Sequence, residues 1–345
     1  MQNELNMANK QKEYQGYRPP FSLSAKAVGL VADIAAQMER FAIRMEQDDA
    51  LRLRKANRIK TIHSSLAIEG NTLLESEVAD IIDGKTVVAP IREIQEVKNA
   101  IRVYEAFDKL DPFSMDDLLK AHGLMMSALT DEAGCFRRGD VGVYSERGLV
   151  HMAPPAHRVR PLMCDLFGWL KHADDHLLVR SCVFHYEFEF IHPFIDGNGR
   201  MGRLWQSLIL GRWNPAFAHL PVENMVYSNQ QAYYDAIAQS TKRGESGPFI
   251  EFMLGEILDT VRKHKGEPII KDENVGVNVG VNVGVNEQKI LEMIAENGNM
   301  TAKQMSDAIG ISQRQVERLL ASLKKKQIIV REGADKNGYW KLNNK

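Results

Sequence analysis

The sequence predicts a mainly α-helical protein: a large helical region broken by one small β-hairpin, then a separate C-terminal module of helices closed by a second hairpin. Three observations carry this. Apolar residues recur at helical spacing from about Ala25 to Leu258. One β signal interrupts them, with Val141 to Tyr144 and Leu149 to Met152 flanking Ser145-Glu146-Arg147-Gly148. A repeat of Asn, Val and Gly from Asn274 to Asn286 then separates this region from a stretch where the pattern starts afresh.

Taken in order, Met1 to Arg18 is polar and has no apolar signal core. Val28, Val31, Ile34, Met38 and Ile43 mark a first helix, and Leu51, Leu53, Ile59, Ile62 and Leu66 a second that stops at Gly70. Leu162, Leu166, Trp169 and Leu170 mark another. A further helix runs from Val179 to Ile191 and ends before Pro193, because a proline disfavours helix in the residue before it. Leu204, Leu208 and Ile209 indicate a helix starting near Arg200. The organisation expected is an N-terminal helical region over 1–110, a helical core over 111–260, a linker over 261–286 and a small domain over 287–345.

Composition narrows the class. The 345 residues allow two or three domains, and 44% hydrophobic with 26% charged residues is the balance of a soluble globular protein. A net charge of −1 implies no bulk attraction to nucleic acid or membrane. Cys135, Cys164 and Cys182 are scattered and odd in number, which argues against a disulfide framework or a zinc site and fits a reducing compartment. No run is long enough to span a bilayer, so a cytoplasmic location is expected.

In the repeat, Val occupies every odd position from 275 to 285. In an extended strand these valines share one face. A docked edge strand and a flexible low-complexity linker both remain open. Beyond it, Ile290, Leu291 and Ile294 begin a helix. Thr301 with Gln304, and Ser312 with Gln315, are capping-box pairs before two more helices joined at Ile309-Gly310-Ile311. Asn337-Gly338 between Ile328-Ile329-Val330 and Tyr339-Trp340 signals a hairpin. The whole resembles a winged helix. From 287 to 345 there are 11 Lys and Arg against 7 Asp and Glu, a net charge of +4. Gln313, Arg314, Arg318 and Lys324 to Lys326 would suit phosphates and a major groove. A protein-binding winged helix with a solvated basic face stays open beside that reading.

The densest chemistry lies in His192-Pro193-Phe194-Ile195-Asp196-Gly197-Asn198-Gly199-Arg200-Met201-Gly202-Arg203. A Gly197-Asn198-Gly199 turn lets backbone N–H groups converge on an anion at a helix N-terminus. Arg200 and Arg203 share a helix face and can grip oxygens bidentately. Asp196 is a hard oxygen ligand suited to Mg²⁺, and His192 can act as a base near neutral pH. This run resembles the Fic family signature His-Pro-Phe-x-Asp-Gly-Asn-Gly-Arg-x-x-Arg at every specified position.

The resemblance implies transfer of AMP from ATP to a Ser, Thr or Tyr hydroxyl of a protein. His192 would be the base and Asp196 the Mg²⁺ ligand. Gly197, Asn198, Gly199, Arg200 and Arg203 would bind the phosphates, and the hairpin at 141–152 would be a flap beside the active site. Tyr234 would contact the adenosine, where Thr241 stands near a position at which many relatives carry Asn. His185, two turns before His192, reads as a hydrogen-bonded core residue. Ser65-Leu66-Ala67-Ile68-Glu69-Gly70 resembles the family's inhibitory motif. Glu69 sits at the negative end of a helix dipole, where a cation is preferred, so it needs a partner. The resemblance supplies Arg203, with Ser65 in the same motif. Removal of AMP by the same site is a second implied activity. The expected partners are ATP, a target protein the sequence does not name, and no membrane; DNA and a homodimer stay open. The rival class is a DNA-binding regulator whose nucleotide site only senses.

Overall fold

The computed structural model describes residues 16–45, 50–145, 148–263, 285–325, 328–332 and 339–343. The chain forms two units, Met1–Gly266 and Glu267–Lys345. The first takes in both the 1–110 and the 111–260 regions.

The first unit is built from α1 (Ala25–Met45), α2 (Ala50–Ile68), α3 (Glu75–Ile82), α4 (Ile91–Glu105), α5 (Met115–Met125), the hairpin β1 (Gly142–Ser145) and β2 (Gly148–Met152), α6 (Ala156–His172), α7 (Leu177–Ile191), α8 (Asn198–Trp213), α9 (Val222–Ser228), α10 (Gln230–Arg243) and α11 (Gly247–Lys263). α7 has apolar residues all round, so it has no face to give to water and lies at the centre. α8 packs along it, with α6 and α11 on other sides. Trp169, Phe184, Phe188, Trp205 and Phe249 fill the space between them and are fully buried. The Trp205 indole donates to the Pro112 carbonyl at 3.0 Å, satisfying the one polar atom such a ring brings into a core. α1 lies along α11, and α2 packs against α9, α3 and α4.

Two helix ends position the residues from His192 to Arg203 and those from Ser65 to Gly70. α2 closes in a Schellman turn: Gly70 N–H donates to the Ala67 carbonyl and Asn71 N–H to the Leu66 carbonyl, with Gly70 at φ +89°. That fixes Glu69 as the last residue before the turn. α7 ends in His192, a non-glycine residue held at φ 50° and ψ 62°. β1 and β2 pair antiparallel from Gly142 opposite Met152 to Ser145 opposite Gly148, with a register shift between Val143 and Tyr144.

The second unit contains α12 (Val285–Glu296), α13 (Ala302–Ile309), α14 (Gln313–Lys325) and the antiparallel strands β3 (Ile329–Glu332) and β4 (Tyr339–Leu342). Ile290, Ile294, Met305, Val316, Leu320, Leu323 and Ile329 form its own core. Both capping boxes are made: Gln304 N–H donates to Thr301 Oγ1 and Gln315 N–H to Ser312 Oγ, with each Gln side chain accepting in return. Gly310 ends α13 at φ +78°. Three helices and a hairpin make this a winged helix. The repeat from Asn274 lies outside the described residues, except Val285 and Asn286, which open α12. The Asn337-Gly338 turn also lies outside them.

Trp340 N–H donates to the Gly298 carbonyl at 2.7 Å, joining β4 to the turn after α12. A Cβ on Gly298 would run into the Trp340 carbonyl, a backbone atom that cannot swing aside. Gly298→Ala is therefore expected to destabilise the winged helix by about 1–3 kcal/mol, the usual cost of overpacking. Hydrogen exchange should show protection lost over 285–343 and retained over 50–263.

Candidate active site

The α7–α8 loop, His192 to Gly197, is held by two groups from distant parts of the chain and by one at the start of α8. The first is Arg137, whose side chain is wholly buried. Its Nε donates to the His192 carbonyl at 2.8 Å and Nη1 to the Gly139 carbonyl at 2.8 Å. Nη2 donates to the Pro154 and Ile191 carbonyls, and the Arg137 N–H to the Pro193 carbonyl at 2.9 Å. One guanidinium thus ties the loop to both ends of the hairpin segment. The second is His122. Its Nδ1 accepts from the Gly134 N–H at 2.9 Å, which leaves Nε2 to donate to the Asp196 carbonyl at 3.0 Å. The ring stacks on Phe194 at 3.6 Å, and burial pushes its pKa down to about 4. The third is Asn198, whose amide accepts from Phe194 N–H and donates to the Phe194 carbonyl, both at 2.9 Å. Gly197 sits at φ +87° with Met126 Sδ 2.8 Å from where a Cβ would lie, so any side chain there is strained and must displace Met126.

α8 then begins, and its first turn carries unpaired N–H groups and the positive dipole end. Glu69 reaches this turn. Its Oε1 lies where a Cβ on Gly199 would have to go, and accepts from Arg203 Nη2 at 2.7 Å. Arg203 also donates from Nη2 to the Ser65 carbonyl at 2.9 Å and from Nε to Ser65 Oγ at 3.4 Å. Burial works against the Arg203 charge, and the Glu69 carboxylate with its neighbours more than offsets it, so the guanidinium pKa stands above its ordinary value.

Arg200 is buried and donates from Nη2 to Asp196 Oδ1 at 2.7 Å, while its Nε and Nη1 make no hydrogen bond. Nη1 lies 3.7 Å from Glu96, whose other oxygen accepts from Asn71 Nδ2 at 2.8 Å. Arg92 approaches Asp196 Oδ2 at 3.4 Å. Both signature arginines are thus engaged by carboxylates: Arg203 by Glu69 from α2, Arg200 by Asp196 within the signature and, at longer range, by Glu96 from α4.

His185 is the neutral core residue its position suggests. Its Nδ1 donates to Gln206 Oε1 at 2.6 Å and its Nε2 accepts from Tyr233 Oη at 3.0 Å. Burial holds it down to about 4. Thr241 Oγ1 donates to the Ile237 carbonyl at 3.0 Å and accepts from Tyr186 Oη at 3.2 Å, so its hydroxyl is used within the protein. Tyr234 stands half-exposed beside Tyr233, its ring 5.4 Å away.

The fold therefore brings Ser65, Glu69, Gly199 and Arg203 together, and Asp196 with Arg200. Asn198 differs from the expectation in one respect: its side chain braces Phe194, leaving only its backbone for an anion. Arg137, His122, Glu96 and Arg92 were invisible to sequence reasoning. Each lies 55 or more positions from its partner in the loop or on α8, and nothing in its local sequence marks it. No group of three or more His, Cys, Asp and Glu side chains poised for a metal occurs among the described residues. Nor is any helix among them long and apolar enough to cross a membrane.

Comparison with known proteins bears on this site. The Fic/DOC family model matches residues 112–210, and a winged helix-turn-helix DNA-binding model matches residues 285–330. A crystal structure of a Fic family protein from Desulfovibrio desulfuricans G20 is 41% identical, with a TM-score of 0.70 over 95% of this chain and 99% of that one. The protein adenylyltransferase Fic of Nematostella vectensis is 30% identical over 56% of this chain and 45% of that protein. Its namesake in Culex quinquefasciatus is 32% identical over 59% and 40%. The chain spans less than half the length of these two relatives. Fic-1 from Caenorhabditis elegans, at 23% identity and a TM-score of 0.58, shares the fold.

The geometry generates two expected outcomes. Arg137→Met leaves several buried carbonyls without a donor and is expected to cost about 3 kcal/mol, measured by thermal unfolding. His185→Gln tests the buried neutral histidine. Its folded pKa of about 4 lies below the ordinary 6.5, so as pH falls from 6.5 to 4 the unfolded chain takes up a proton that the folded chain refuses. The parent loses that stability on acidification and the variant does not. The gap in unfolding free energy between them should close by about 1.4 kcal/mol per pH unit across the window.

Proposed function

This chain belongs to the Fic/DOC family, and from that premise we propose that it is a protein adenylyltransferase that moves AMP from ATP to a Ser, Thr or Tyr hydroxyl of a target protein. The observation that carries the reading is the gathering of His192, Asp196, the α8 N-terminus, Arg200 and Arg203 within one loop and one helical turn. Two Arg200 nitrogens there have no hydrogen bond, a natural reserve for phosphate oxygens. His192 takes the proton of the hydroxyl. The hydroxyl oxygen bonds to the α-phosphorus, the bond from that phosphorus to the bridging oxygen breaks, and pyrophosphate leaves. Arg200 and Arg203 hold the outer phosphates, and the N–H groups of Gly197-Asn198-Gly199 offset charge on them. The partly exposed Asp196 carboxylate is an oxygen donor of the kind that would hold Mg²⁺. When bound, the ion neutralises phosphate charge.

Glu69 restrains this chemistry. An Arg203 held by Glu69 and Ser65 is not free for the γ-phosphate, so the ground state handles ATP unproductively. A carboxylate at Gly199 is also placed to orient a water, which favours removal of AMP as a second reaction of the same site. The winged helix binds DNA, its exposed Arg314 and Gln313 leading α14 into the groove. A nucleotide-sensing regulator without transfer chemistry is the rival reading.

Incubation with α-labelled ATP separates these. Glu69→Gly should raise labelling of protein by about tenfold or more, on the order expected for freeing one phosphate contact. His192→Ala should abolish labelling and retain ATP binding. Arg203→Ala should remove the gain even in the Glu69→Gly background, since both changes act on one contact. Labelling that is absent throughout, alongside salt-sensitive retardation of duplex DNA, would favour the regulator.

A further inference from the structure

Glu189 is a buried carboxylate that the transfer chemistry leaves unused. It lies on α7 one turn before His192, with its side chain 13% exposed. Its Oε1 lies 2.7 Å from where a Cβ on Gly202 would be, so the missing side chain of Gly202 makes room for it under the first turns of α8. That oxygen has no hydrogen-bond partner. It stands 3.9 Å from His185 Nε2, while Oε2 stands 4.0 Å from His192 Nδ1. His185 cannot serve as its cation, because that ring is neutral and its Nε2 accepts from Tyr233. The charged and titratable groups facing Glu189 are thus His185 and His192 on α7, Arg203 on α8, Glu69 on α2, and Tyr233 and Tyr234 on α10.

We propose that Glu189 is a positioning residue coupling the Glu69 latch to the His192 base: the neighbouring Glu69 carboxylate disfavours a second anion there while the latch is closed, and Glu189 serves as counter-charge to Arg203 and the His192 imidazolium once Glu69 withdraws. The activity arm of this inference rests on the adenylyl-transfer reading. For His192 to accept a proton at Nε2, its Nδ1 must keep one. Nδ1 faces the Glu189 carbonyl at 3.4 Å and the Glu189 carboxylate at 4.0 Å. The carbonyl holds the tautomer. The carboxylate stabilises the imidazolium that forms when the hydroxyl proton arrives, as a carboxylate behind a catalytic histidine does. Burial pushes the Glu189 carboxyl up to about 7, with Arg203 pulling it down and Glu69 pushing it up. Withdrawing Glu69 removes one of the two influences that keep it protonated and leaves Arg203 to draw out the anion. Opening the latch then frees the phosphate-binding arginine and strengthens the base together.

The test uses the full chain. Ring nitrogens of labelled histidine are followed by NMR against pH, with the His192 signals assigned by their loss in His192→Ala. Glu189→Gln keeps size and shape while removing the charge. It is expected to move the His192 titration midpoint to lower pH, and to move it further in a Glu69→Gly background than beside intact Glu69. An unmoved midpoint overturns the role, and equal shifts in both backgrounds overturn the coupling. AMP transfer from α-labelled ATP onto the chain itself is the second arm. Against Glu69→Gly, the Glu69→Gly/Glu189→Gln variant is expected to show a plateau about tenfold lower, an acid limb moved to lower pH, and an unchanged KM for ATP. Superimposable profiles overturn the proposal. A midpoint that moves in a Glu69→Gly parent unable to transfer AMP overturns the adenylyl-transfer reading and leaves the coupling standing. Should Glu189→Gln melt early, Glu189→Asp replaces it: it retains the charge, and a merely structural role would make it as defective as the Gln variant.

Discussion

A guanidinium buried to the depth of Arg203 needs a full set of acceptors, and an anion among them offsets most of what burial costs it. Stripped of water, its charge is expensive without such partners. Glu69 fills that need at 2.7 Å, and Ser65 supplies two further acceptors. Much of the first unit is arranged to make that contact. α2 must end where it does, which the Schellman turn at Gly70 enforces, and α8 must carry glycines at 199 and 202 so that carboxylates can approach. The same demand can be met by a protein carboxylate or by a phosphate.

The loop between α7 and α8 illustrates a second economy. A short polar loop ordinarily lies at the surface and wanders. Here it is pinned from below by His122, from the side by Arg137 and from within by Asn198. His122 serves this role only while neutral, and burial keeps it so. Arg137 braces four carbonyls through its side chain, with the Asp140 carboxylate 4.0 Å from Nη1, an arrangement that suits a planar guanidinium and would not suit a lysine. Because Arg137 also bonds to Gly139 and Pro154, the hairpin segment and the α7–α8 loop share one anchor.

The second unit obeys separate rules. Its core is small, and its stability leans on local chemistry: two reciprocal capping boxes, a glycine at the end of α13, and the Arg331 guanidinium lying 5.0 Å over the Trp340 ring. These are short-range devices that a small domain can use without a large apolar interior.

Such short-range devices are what the sequence alone made legible. The helices of the core, the hairpin near 141–152, both capping boxes, the helix stop at Gly70 and the signature from His192 to Arg203 could all be read, because each depends on residues a few positions apart. Strand and helix ends moved by a residue or two: α8 starts at Asn198 and not Arg200, since Gly197 at positive φ serves as its cap. The pairing of Glu69 with Arg203 was anticipated only through a family resemblance and the misfit of an anion at a helix C-terminus. The roles of Arg137, His122, Glu96 and Glu189 were not legible. Nothing near them in the chain distinguishes them from ordinary surface or core residues. Their meaning comes from burial and from partners brought in by folding, and burial is what turns an unremarkable histidine into a neutral brace and an unremarkable glutamate into a carboxyl titrating near neutrality. Sequence determined the elements and the chemical vocabulary of the site; tertiary structure alone decided which charges lost their water, and therefore which groups must answer to one another.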